Sequence, residues 1–238
     1  MKLAGQVAIV TGGGRGIGRA IALAFAREGA AVVLAARSAR ELDTVARTIA
    51  ESGGRALAVT TDVRQEPSVA ALVKRTLAEY ARVDILVTAA GVASFGPVAD
   101  AKPADWDQTL AVNLRGAFLC CRAVLPAMME ARRGTIINIG SVVTSRTLTG
   151  SAAYTTSKYG LLGFSRVLAE EMRPYGVRVG VLSAGATDTP LWDGMPGAPD
   201  RARMLTADQV AEGALLMVGL GANAALEEMT LLPAGGVL

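Results

Sequence analysis

Short, almost wholly apolar runs alternate with longer alanine-rich stretches from one end of the 238-residue chain to the other. The short runs are rich in β-branched residues and lack polar alternation, which is typical of strands buried on both faces. We predict strands at residues 6–11, 31–36, 56–61, 83–89, 134–140, 177–183 and 229–232. We predict helices at residues 15–29, 38–52, 66–80, 103–131, 152–173 and 206–220. Such alternation forms an α/β fold with a parallel, doubly wound sheet, helices on both faces and right-handed crossovers.

Composition favours one globular domain over residues 1–238 and excludes several kinds of function. Hydrophobic residues make up 51% of the chain, and the formal net charge of +3 comes from basic residues that are spread without a run, unlike a nucleic-acid footprint. The chain has no histidine, which excludes Ser-His and Cys-His nucleophilic machinery and histidine-ligated metal sites. The two cysteines, Cys120 and Cys121, are adjacent in a helical pattern, so we expect buried, reduced thiols and no metal site.

The N-terminal region predicts the compartment. A strand-like run begins at Gln6, which leaves no room for the charged and apolar regions of a signal peptide. We find no apolar stretch of about eighteen residues that would indicate a membrane span. We therefore expect a soluble, cytoplasmic protein whose partners are neither membranes nor nucleic acids.

A glycine-rich segment, residues 11–18 with the sequence TGGGRGIG, connects the first predicted strand to the first predicted helix. Glycines let the backbone approach a pyrophosphate closely, and the helix N-terminus offers unpaired N–H groups and the positive end of the helix dipole. Glycines alone can also make a plain tight turn. Between a strand and a helix of an alternating pattern, this spacing predicts a dinucleotide-binding loop.

The end of the second strand distinguishes NAD from NADP. An acidic residue about twenty positions past the glycines accepts hydrogen bonds from the ribose 2′-hydroxyl of NAD. The corresponding residues 34–38 read LAARS, without a carboxylate. Arg37, with Arg15 from the loop, can bind a 2′-phosphate; the alternative is that both are solvated surface arginines. The sequence favours NADP, with NADPH preferred over NADH.

Tyr154 and Lys158 lie four residues apart in a predicted helix and therefore share one face. A tyrosine loses its proton near pH 10, about three units or roughly 4 kcal/mol too high for ready exchange at neutral pH. An ammonium about 4 Å away, at an effective dielectric of about 20, supplies on the order of 4 kcal/mol, part of which burial of the phenol removes. The spacing predicts that Lys158 lowers the pKa of Tyr154; a chance pairing is the alternative.

Four motifs in order resemble those of the short-chain dehydrogenase/reductase family, closest to its 3-oxoacyl-carrier-protein reductase-like branch. The loop pattern TGxxxGxG matches residues 11–18, and YxxxK matches Tyr154 and Lys158. The catalytic asparagine of the family matches Asn113 in VNLRG, and its catalytic serine matches Ser141 after NIG. The similarity covers essentially the whole chain. Without it, Ser141 is equally a strand end, and Asn113 a polar helix residue that satisfies a neighbour.

The resemblance implies a role for each of these residues. Tyr154 is expected to give its proton to a carbonyl oxygen or take it from an alcohol, and Ser141 to hydrogen-bond that oxygen. Lys158 is expected to lower the pKa of the phenol and hold the nicotinamide ribose, and Asn113 to hold a water that relays protons to Lys158. With the loop, the resemblance predicts cofactor contacts at Gly12, Gly14, Arg15, Gly16, Ile17, Gly18, Arg37, Asp62, Val63, Ala90, Gly91, Tyr154, Lys158, Thr187 and Thr189.

The chain departs from the family pattern in two places. After the fourth strand the family has NNAG, whereas residues 88–91 read TAAG. We expect the missing amides to alter backbone support beside the nicotinamide. After the sixth strand the expected proline-glycine reads Ala184-Gly185. Neither departure removes one of the four catalytic candidates.

The substrate pocket is expected above Tyr154, between the connections that follow strands four, five and six. Its candidates are mostly small or apolar, and none is a lysine or arginine: Val92, Ala93, Val143, Thr144, Ser145, Leu148, Ala184, Leu191, Trp192 and Met195. We expect Ser141, Val143, Tyr154, Leu191 and Trp192 to contact the substrate, a neutral and moderately hydrophobic ketone or secondary alcohol. The irregular residues 187–205 are expected to cover it, although Leu191, Trp192 and Met195 can equally be core residues.

The leading hypothesis is an NADP(H)-dependent carbonyl reductase or alcohol dehydrogenase. The alternatives are a non-catalytic, regulatory NADP-binding protein and a structural subunit that uses the fold for assembly. Broad apolar faces in residues 103–131 and 152–173, together with the resemblance, imply a homodimer or homotetramer; the alternative is an alanine-rich core.

Overall fold

The computed structural model describes residues 1–195, 198–221 and 223–236. Its strands are β1 (Val7–Thr11), β2 (Ala31–Ala36), β3 (Arg55–Thr60), β4 (Ile85–Thr88), β5 (Gly134–Ser141), β6 (Val177–Ala184) and β7 (Glu228–Leu231). Its helices are α1 (Gly16–Arg27), α2 (Ala39–Glu51), α3 (Glu66–Tyr80), α4 (Pro103–Leu110), α5 (Gly116–Ala131), α6 (Ala152–Met172) and α7 (Ala207–Gly219). Every predicted strand and helix is present, with ends that differ by three residues or fewer.

The strands form one parallel sheet in the order β3-β2-β1-β4-β5-β6-β7. The predicted doubly wound fold is therefore confirmed. Thr11 at the end of β1 pairs with Ala35 on one side and Thr88 on the other, so three strands end at one edge. The chain order reverses between β1 and β4, and ligands of open α/β sheets bind in the crevice at that point.

Two apolar layers cover the sheet because successive strand residues point to opposite faces. Val10 joins the layer of Phe25 on α1 and Val210 on α7. Its neighbour Ile9 joins the other layer, with Leu72 on α3. This arrangement explains why the strands read as continuous apolar runs. Cys120 and Cys121 are free and buried in the second layer, where burial raises the pKa of the Cys120 thiol to about 12.

The predicted helix over residues 103–131 contains one wider turn. Residues Ala111–Arg115 form a π-helical turn between α4 and α5. Such turns often occur at functional sites, and this one contains Asn113. The sequence predicts an uninterrupted α-helix here because one widened turn hardly changes the spacing of apolar residues along the segment.

This same helix, Pro103–Ala131, is long and apolar enough by length and composition to cross a membrane. The expectation that no stretch of the chain reaches that threshold is therefore wrong. Of its most apolar 18-residue window, 39% is buried inside the fold, and Val124 and Met128 pack against the sheet. Core helices of soluble proteins pass the same test, so this feature alone is weak support for membrane insertion.

Candidate active site

A cleft opens at the carboxyl ends of β1, β4, β5 and β6, where the topology places ligand binding. It contains about 1300 Å³ of empty space, including the part open to solvent. A crevice at this edge of an open α/β sheet is where a dinucleotide and its substrate would bind. Most of the predicted cofactor residues line it: Gly12, Arg15, Gly16, Ile17, Gly18, Ala90, Gly91, Tyr154, Lys158, Thr187 and Thr189.

The glycine-rich loop packs too closely against its surroundings for side chains. A Cβ at Gly12 would lie 2.8 Å from the carbonyl oxygen of Ala89, and a Cβ at Gly18 would collide with the carbonyl oxygen of Gly12. Gly12 also has φ of +67°, which favours glycine. The loop leads into the N-terminus of α1, whose first turn contains no acidic residue. Its backbone and the dipole of α1 thus fit a pyrophosphate.

The predicted 2′-phosphate contacts are exposed arginines. Arg15 and Arg37 are both exposed, and within the described residues neither forms an ion pair. Arg15 lines the cleft, whereas Arg37 follows β2 outside it. Gly14 does not line the cleft, because Glu41 covers it; a Cβ at Gly14 would lie 3.0 Å from Cβ of Glu41.

Asp62 and Val63, which were predicted to contact the cofactor, do not line the cleft. Both carboxylate oxygens of Asp62 accept hydrogen bonds from Arg64, at 2.7–3.1 Å. This contact holds the pKa of Asp62 below its usual value. Val63 is buried, and its side chain packs where a Cβ of Gly116 would lie. The predicted cofactor contacts at Asp62 and Val63 therefore stay predictions, and the Asp62 carboxylate is paired with Arg64.

Tyr154, Lys158 and Ser141 meet in the cleft. Tyr154 and Lys158 lie on α6, and Ser141 ends β5. Lys158 is 6% exposed; its ammonium donates to the carbonyl oxygen of Ile139 at 2.7 Å and lies 5.6 Å from the centre of the Tyr154 ring. Ser141 caps the turn after β5, with its hydroxyl accepting from the Val143 amide at 3.4 Å. The topology thus places three of the four catalytic candidates around one space.

The direction of the pKa shift of Tyr154 differs from the prediction. Burial raises the pKa of Tyr154, and a hydrogen bond with the Ser141 hydroxyl lowers it by less. Burial also lowers the pKa of Lys158 to about 8. In the protein alone, desolvation of the phenol therefore exceeds any stabilisation of its anion by the ammonium. The prediction used the charge separation and underestimated the cost of burial.

Asn113 is 1% exposed and joins two elements of the site instead of lining the cleft. Its Oδ1 accepts from the Val92 amide at 2.9 Å, and its Nδ2 donates to the Val92 carbonyl oxygen at 2.9 Å and to Ser157 Oγ at 3.1 Å. Both amide hydrogens are thus engaged. Asn113 holds the segment after β4 against α6, and its role in a proton relay to Lys158 stays a prediction.

The TAAG departure is accommodated by other hydrogen bonds. Thr88 donates to Asn138 Oδ1 at 2.7 Å, and Asn138 donates to Ser165 Oγ at 2.8 Å. The Ala90 amide donates to Thr11 Oγ1 at 3.2 Å. β4 also pairs with β1 and β5 along its length. Backbone support beside the nicotinamide site is therefore supplied by the neighbouring strands.

At the second departure, where Ala184 replaces the expected proline, the following Gly185 matches the family pattern and lies close to another segment. The Gly185 amide donates to the Leu231 carbonyl oxygen at 2.8 Å. A Cβ at Gly185 would lie 2.9 Å from Cδ of Pro233. Glycine at this position is therefore required by the segment that follows β7.

The substrate side of the cleft has an aromatic wall that the sequence did not reveal. Phe95 lies between Tyr154 and Trp192, with both ring centres 6.2 Å from its own. Six of the ten predicted pocket residues line the cleft: Val92, Val143, Leu148, Ala184, Leu191 and Trp192. Ala93, Thr144, Ser145 and Met195 do not line it. Thr144 and Ser145 instead donate to the carbonyl oxygens of Ser141 and Val142.

Arg146 also lines the cleft, so the expectation of a pocket without a basic residue is wrong. That expectation was the reason for predicting a neutral substrate. Arg146 lies between Ser145 and Leu148, which were both predicted to line the pocket. Its position in a non-periodic connection gave no indication of its direction.

The covering segment, residues 187–205, is described except for 196 and 197. Thr187 pairs with Leu205 across its base. Trp192 Nε1 donates to the Thr187 carbonyl oxygen at 3.0 Å, and Arg201 pairs with Asp188 at 2.6 Å and Asp193 at 2.7 Å. Leu191 and Trp192 line the cleft and are not core residues, whereas Met204 and Leu205 are buried.

Comparison with known proteins agrees with this geometry. The family model described as short chain dehydrogenase matches residues 6–197. D-threitol dehydrogenase from Mycolicibacterium smegmatis is 40% identical over 200 residues, covering 82% of this chain and 77% of the relative. A 3-oxoacyl-[acyl-carrier-protein] reductase from Synechocystis sp. is 38% identical over 198 residues, covering 83% of this chain and 80% of the relative.

The likeness extends to a solved structure. A crystal structure of a metagenomic short-chain oxidoreductase in complex with NADP is 38% identical, with a TM-score of 0.87 over 98% of this chain and 99% of that chain. None of these three proteins is described as non-catalytic. The chain is an oxidoreductase that belongs to the short-chain dehydrogenase family.

Proposed function

We propose that this protein is a carbonyl reductase or secondary-alcohol dehydrogenase that uses NADP(H) in preference to NAD(H). The observation that carries the proposal is the convergence of Ser141, Tyr154 and Lys158 in the cleft that the glycine-rich loop enters. The names of the two relatives support it, since one is a polyol dehydrogenase and the other a 3-oxoacyl reductase.

Bound NADPH supplies the hydride that reduces the carbonyl carbon. Tyr154 gives its phenolic proton to the carbonyl oxygen, and the Ser141 hydroxyl hydrogen-bonds that oxygen as negative charge develops on it. Lys158, protonated below pH 8, maintains a positive charge beside the phenol. Asn113 holds the Val92 segment and α6 together, so the reacting groups keep their spacing.

The raised pKa of Tyr154 keeps the phenol protonated, which is the form that reduction of a carbonyl requires. A phenol with a raised pKa is protonated at neutral pH and holds the proton that reduction requires, but it is a weaker acid than a phenol whose pKa has been lowered. Oxidation of an alcohol needs the phenolate, which the buried site disfavours.

The preference for NADP is supported by the two exposed arginines, Arg15 and Arg37, and by the absence of an acidic residue at the end of β2. We also propose that the protein is cytoplasmic, that its partners are neither membranes nor nucleic acids, and that it forms a homodimer or homotetramer. Exposed Phe118, Tyr159 and Val167 on α5 and α6 support the assembly. A monomer in sedimentation at micromolar concentration would refute it.

Activity is tested by following the absorbance of NADPH in the presence of a panel of ketones, with Tyr154→Phe as the matched variant. Tyr154→Phe removes one oxygen and should lower kcat about a thousandfold, because a positioned acid typically contributes 10²–10⁴-fold. Its affinity for NADPH should stay within twofold of the wild type. Substantial turnover by the variant would contradict the role of Tyr154. Binding of NADPH without reduction of any ketone would support the regulatory alternative, and no binding would support the structural one.

A further inference from the structure

The cleft is lined by three cations and, within the part of the chain that the structure describes, by no carboxylate. Arg15 lies on the glycine-rich loop, next to the expected phosphates. Lys158 lies beside Tyr154 and donates to Ile139. The third cation, Arg146, is not among the residues predicted to bind the cofactor or to transfer a proton.

Arg146 is held close to the reacting groups. Its amide donates to the Val142 carbonyl oxygen at 3.0 Å, which ties it to the turn that Ser141 caps. It therefore belongs to the connection from β5 to α6 that bears Ser141 and leads to Tyr154. Arg15 lies instead on the connection from β1 to α1, which places the two arginines on the substrate and the cofactor parts of the cleft.

The guanidinium of Arg146 has no ion-pair or hydrogen-bond partner among residues 1–195, 198–221 and 223–236. Arg201, on the covering segment, provides the contrast: it pairs with Asp188 and Asp193 at 2.6 and 2.7 Å. An arginine whose role is to hold the covering segment in place would be expected to form ion pairs with nearby carboxylates, as Arg201 does. Arg146 instead is an exposed residue of the cleft lining, and its side chain has no such partner within the described residues.

The surroundings of Arg146 define the rest of the ligand. Leu148 follows it closely in sequence, and Val143, Phe95 and Trp192 line the same cleft. Guanidinium groups bind planar anions such as carboxylates and phosphates through two parallel hydrogen bonds. The cleft therefore offers a proton donor at one place, an apolar wall, and an anion-binding group at another.

We propose that the substrate is an oxo acid or the corresponding hydroxy acid, whose anionic end binds Arg146 while its carbonyl carbon lies at Tyr154. This inference rests on the proposed reductase activity and specifies its substrate class. The anionic end is a carboxylate or a phosphate monoester, since both match the guanidinium. The carbon chain between the two ends contacts the aromatic wall.

The test compares substrates that differ only in charge. Oxoalkanoates with three to six carbons between carbonyl and carboxylate are each paired with their methyl ester, and oxoalkyl phosphates of the same lengths form a second arm. For at least one length, the wild type should show kcat/KM about tenfold higher for the anion than for the ester. The anion, carboxylate or phosphate, is identified by the arm whose kcat/KM is higher relative to the methyl ester of the same chain length.

Arg146→Gln removes the charge and keeps a hydrogen-bonding group of similar length. It should raise KM for the anionic substrate about tenfold and leave kcat and the ester kinetics within twofold, because a contact remote from the reacting atoms contributes uniform binding. Arg146→Lys should recover part of the loss. Arg47→Gln, an exposed arginine on α2 outside the cleft, is the matched charge control and should change nothing.

Two further measurements separate binding from folding and turnover. The KM of the anion should rise with ionic strength while that of the ester stays constant, since salt screens exposed charges. The anion should also raise the Tm of the NADP-loaded wild type but not of Arg146→Gln. Reduction of esters and acids with equal kcat/KM, or an equal loss for both in Arg146→Gln, would overturn this proposal and leave the reductase intact. If no ketone of either kind is reduced, the proposed function fails and this inference fails with it.

Discussion

The nucleotide half of the site consists of residues 11–18 and, beside the cleft, the end of β2. It differs in construction from the substrate half, which includes Phe95, Arg146 and Trp192. Consecutive residues build the nucleotide half, and backbone atoms form its contacts: a Cβ at Gly12 would lie 2.8 Å from Ala89 O. In the substrate half, the connections after β4, β5 and β6 supply one side chain each.

The difference shows which properties a family can vary. The close backbone packing of the glycine-rich loop excludes most side chains there. Substitutions that alter cofactor binding in the nucleotide half are therefore limited to a few positions, such as Ala36. The aromatic contacts of the substrate half have centres 6.2 Å apart and involve partly exposed side chains. Changes there should alter substrate affinity without disturbing the fold or the cofactor.

Among the changes that test this comparison of the two halves, the largest effect is expected from Ala36→Asp at the end of β2. The new carboxylate would accept from the ribose 2′-hydroxyl of NAD and repel the 2′-phosphate of NADP. The ratio of kcat/KM for NADPH to that for NADH should fall about hundredfold, since a like-charge contact costs several kcal/mol. Ala50→Asp, exposed at the far end of α2, adds the same charge and should leave the ratio unchanged. An unchanged ratio in Ala36→Asp would mean that the end of β2 does not select the cofactor.

A smaller effect is expected from Trp192→Ala. It removes the stack with Phe95 and the hydrogen bond to the Thr187 carbonyl oxygen. KM for a ketone should rise about tenfold, because an aromatic pair contributes roughly 0.5–1.5 kcal/mol beyond the area it buries. Trp192→Phe keeps a ring and should recover most of the affinity.

The dissociation constant of NADPH is the decisive control for Trp192→Ala. If it stays within twofold of the wild-type value, the two halves of the cleft act independently. If the dissociation constant of NADPH rises together with KM, the covering segment also binds the cofactor. The claim that the two halves act independently is then wrong for Trp192.

The smallest effect concerns Lys158, which lies where the two halves meet. Its pKa is about 8 in the folded protein and near 10.4 in an unfolded chain. Between these values the unfolded chain binds more protons, so rising pH stabilises the fold. From pH 7 to 9 the free energy of unfolding of the wild type should gain on the order of 1 kcal/mol relative to Lys158→Met.

Urea unfolding of both proteins without cofactor measures this difference in slope. The raised pKa of Tyr154 lies above the pH range used, and that residue is present in both proteins. Parallel stability curves for the wild type and the variant would show that the ammonium of Lys158 is not desolvated.

The predictable part of the fold and site consists of features encoded by neighbouring residues. Strand and helix positions were correct because apolar periodicity reports burial, and Ser38 begins α2 as predicted, accepting from the Glu41 amide at 3.3 Å. Tyr154 and Lys158 share a face of α6 because helical geometry requires it. Their convergence with Ser141 follows from the parallel topology.

The parts that sequence reasoning missed depend on packing between distant segments. The direction of the pKa shift of Tyr154 is set by burial beneath elements far away in the chain, which helical spacing does not report. Phe95 lies in a connection without periodicity, so no local pattern indicated that it contacts Tyr154 and Trp192.

By itself, the amino-acid sequence determined the parallel α/β fold, the glycine loop and the spacing of the tyrosine and lysine, because each rests on local backbone geometry and on periodic burial. The tertiary structure alone decided that Phe95 and Arg146 line the cleft and that Asn113 holds Val92 against α6. The physical reason is that side-chain direction in a connection is set by long-range packing and hydrogen bonding, which the order of residues along the chain does not specify.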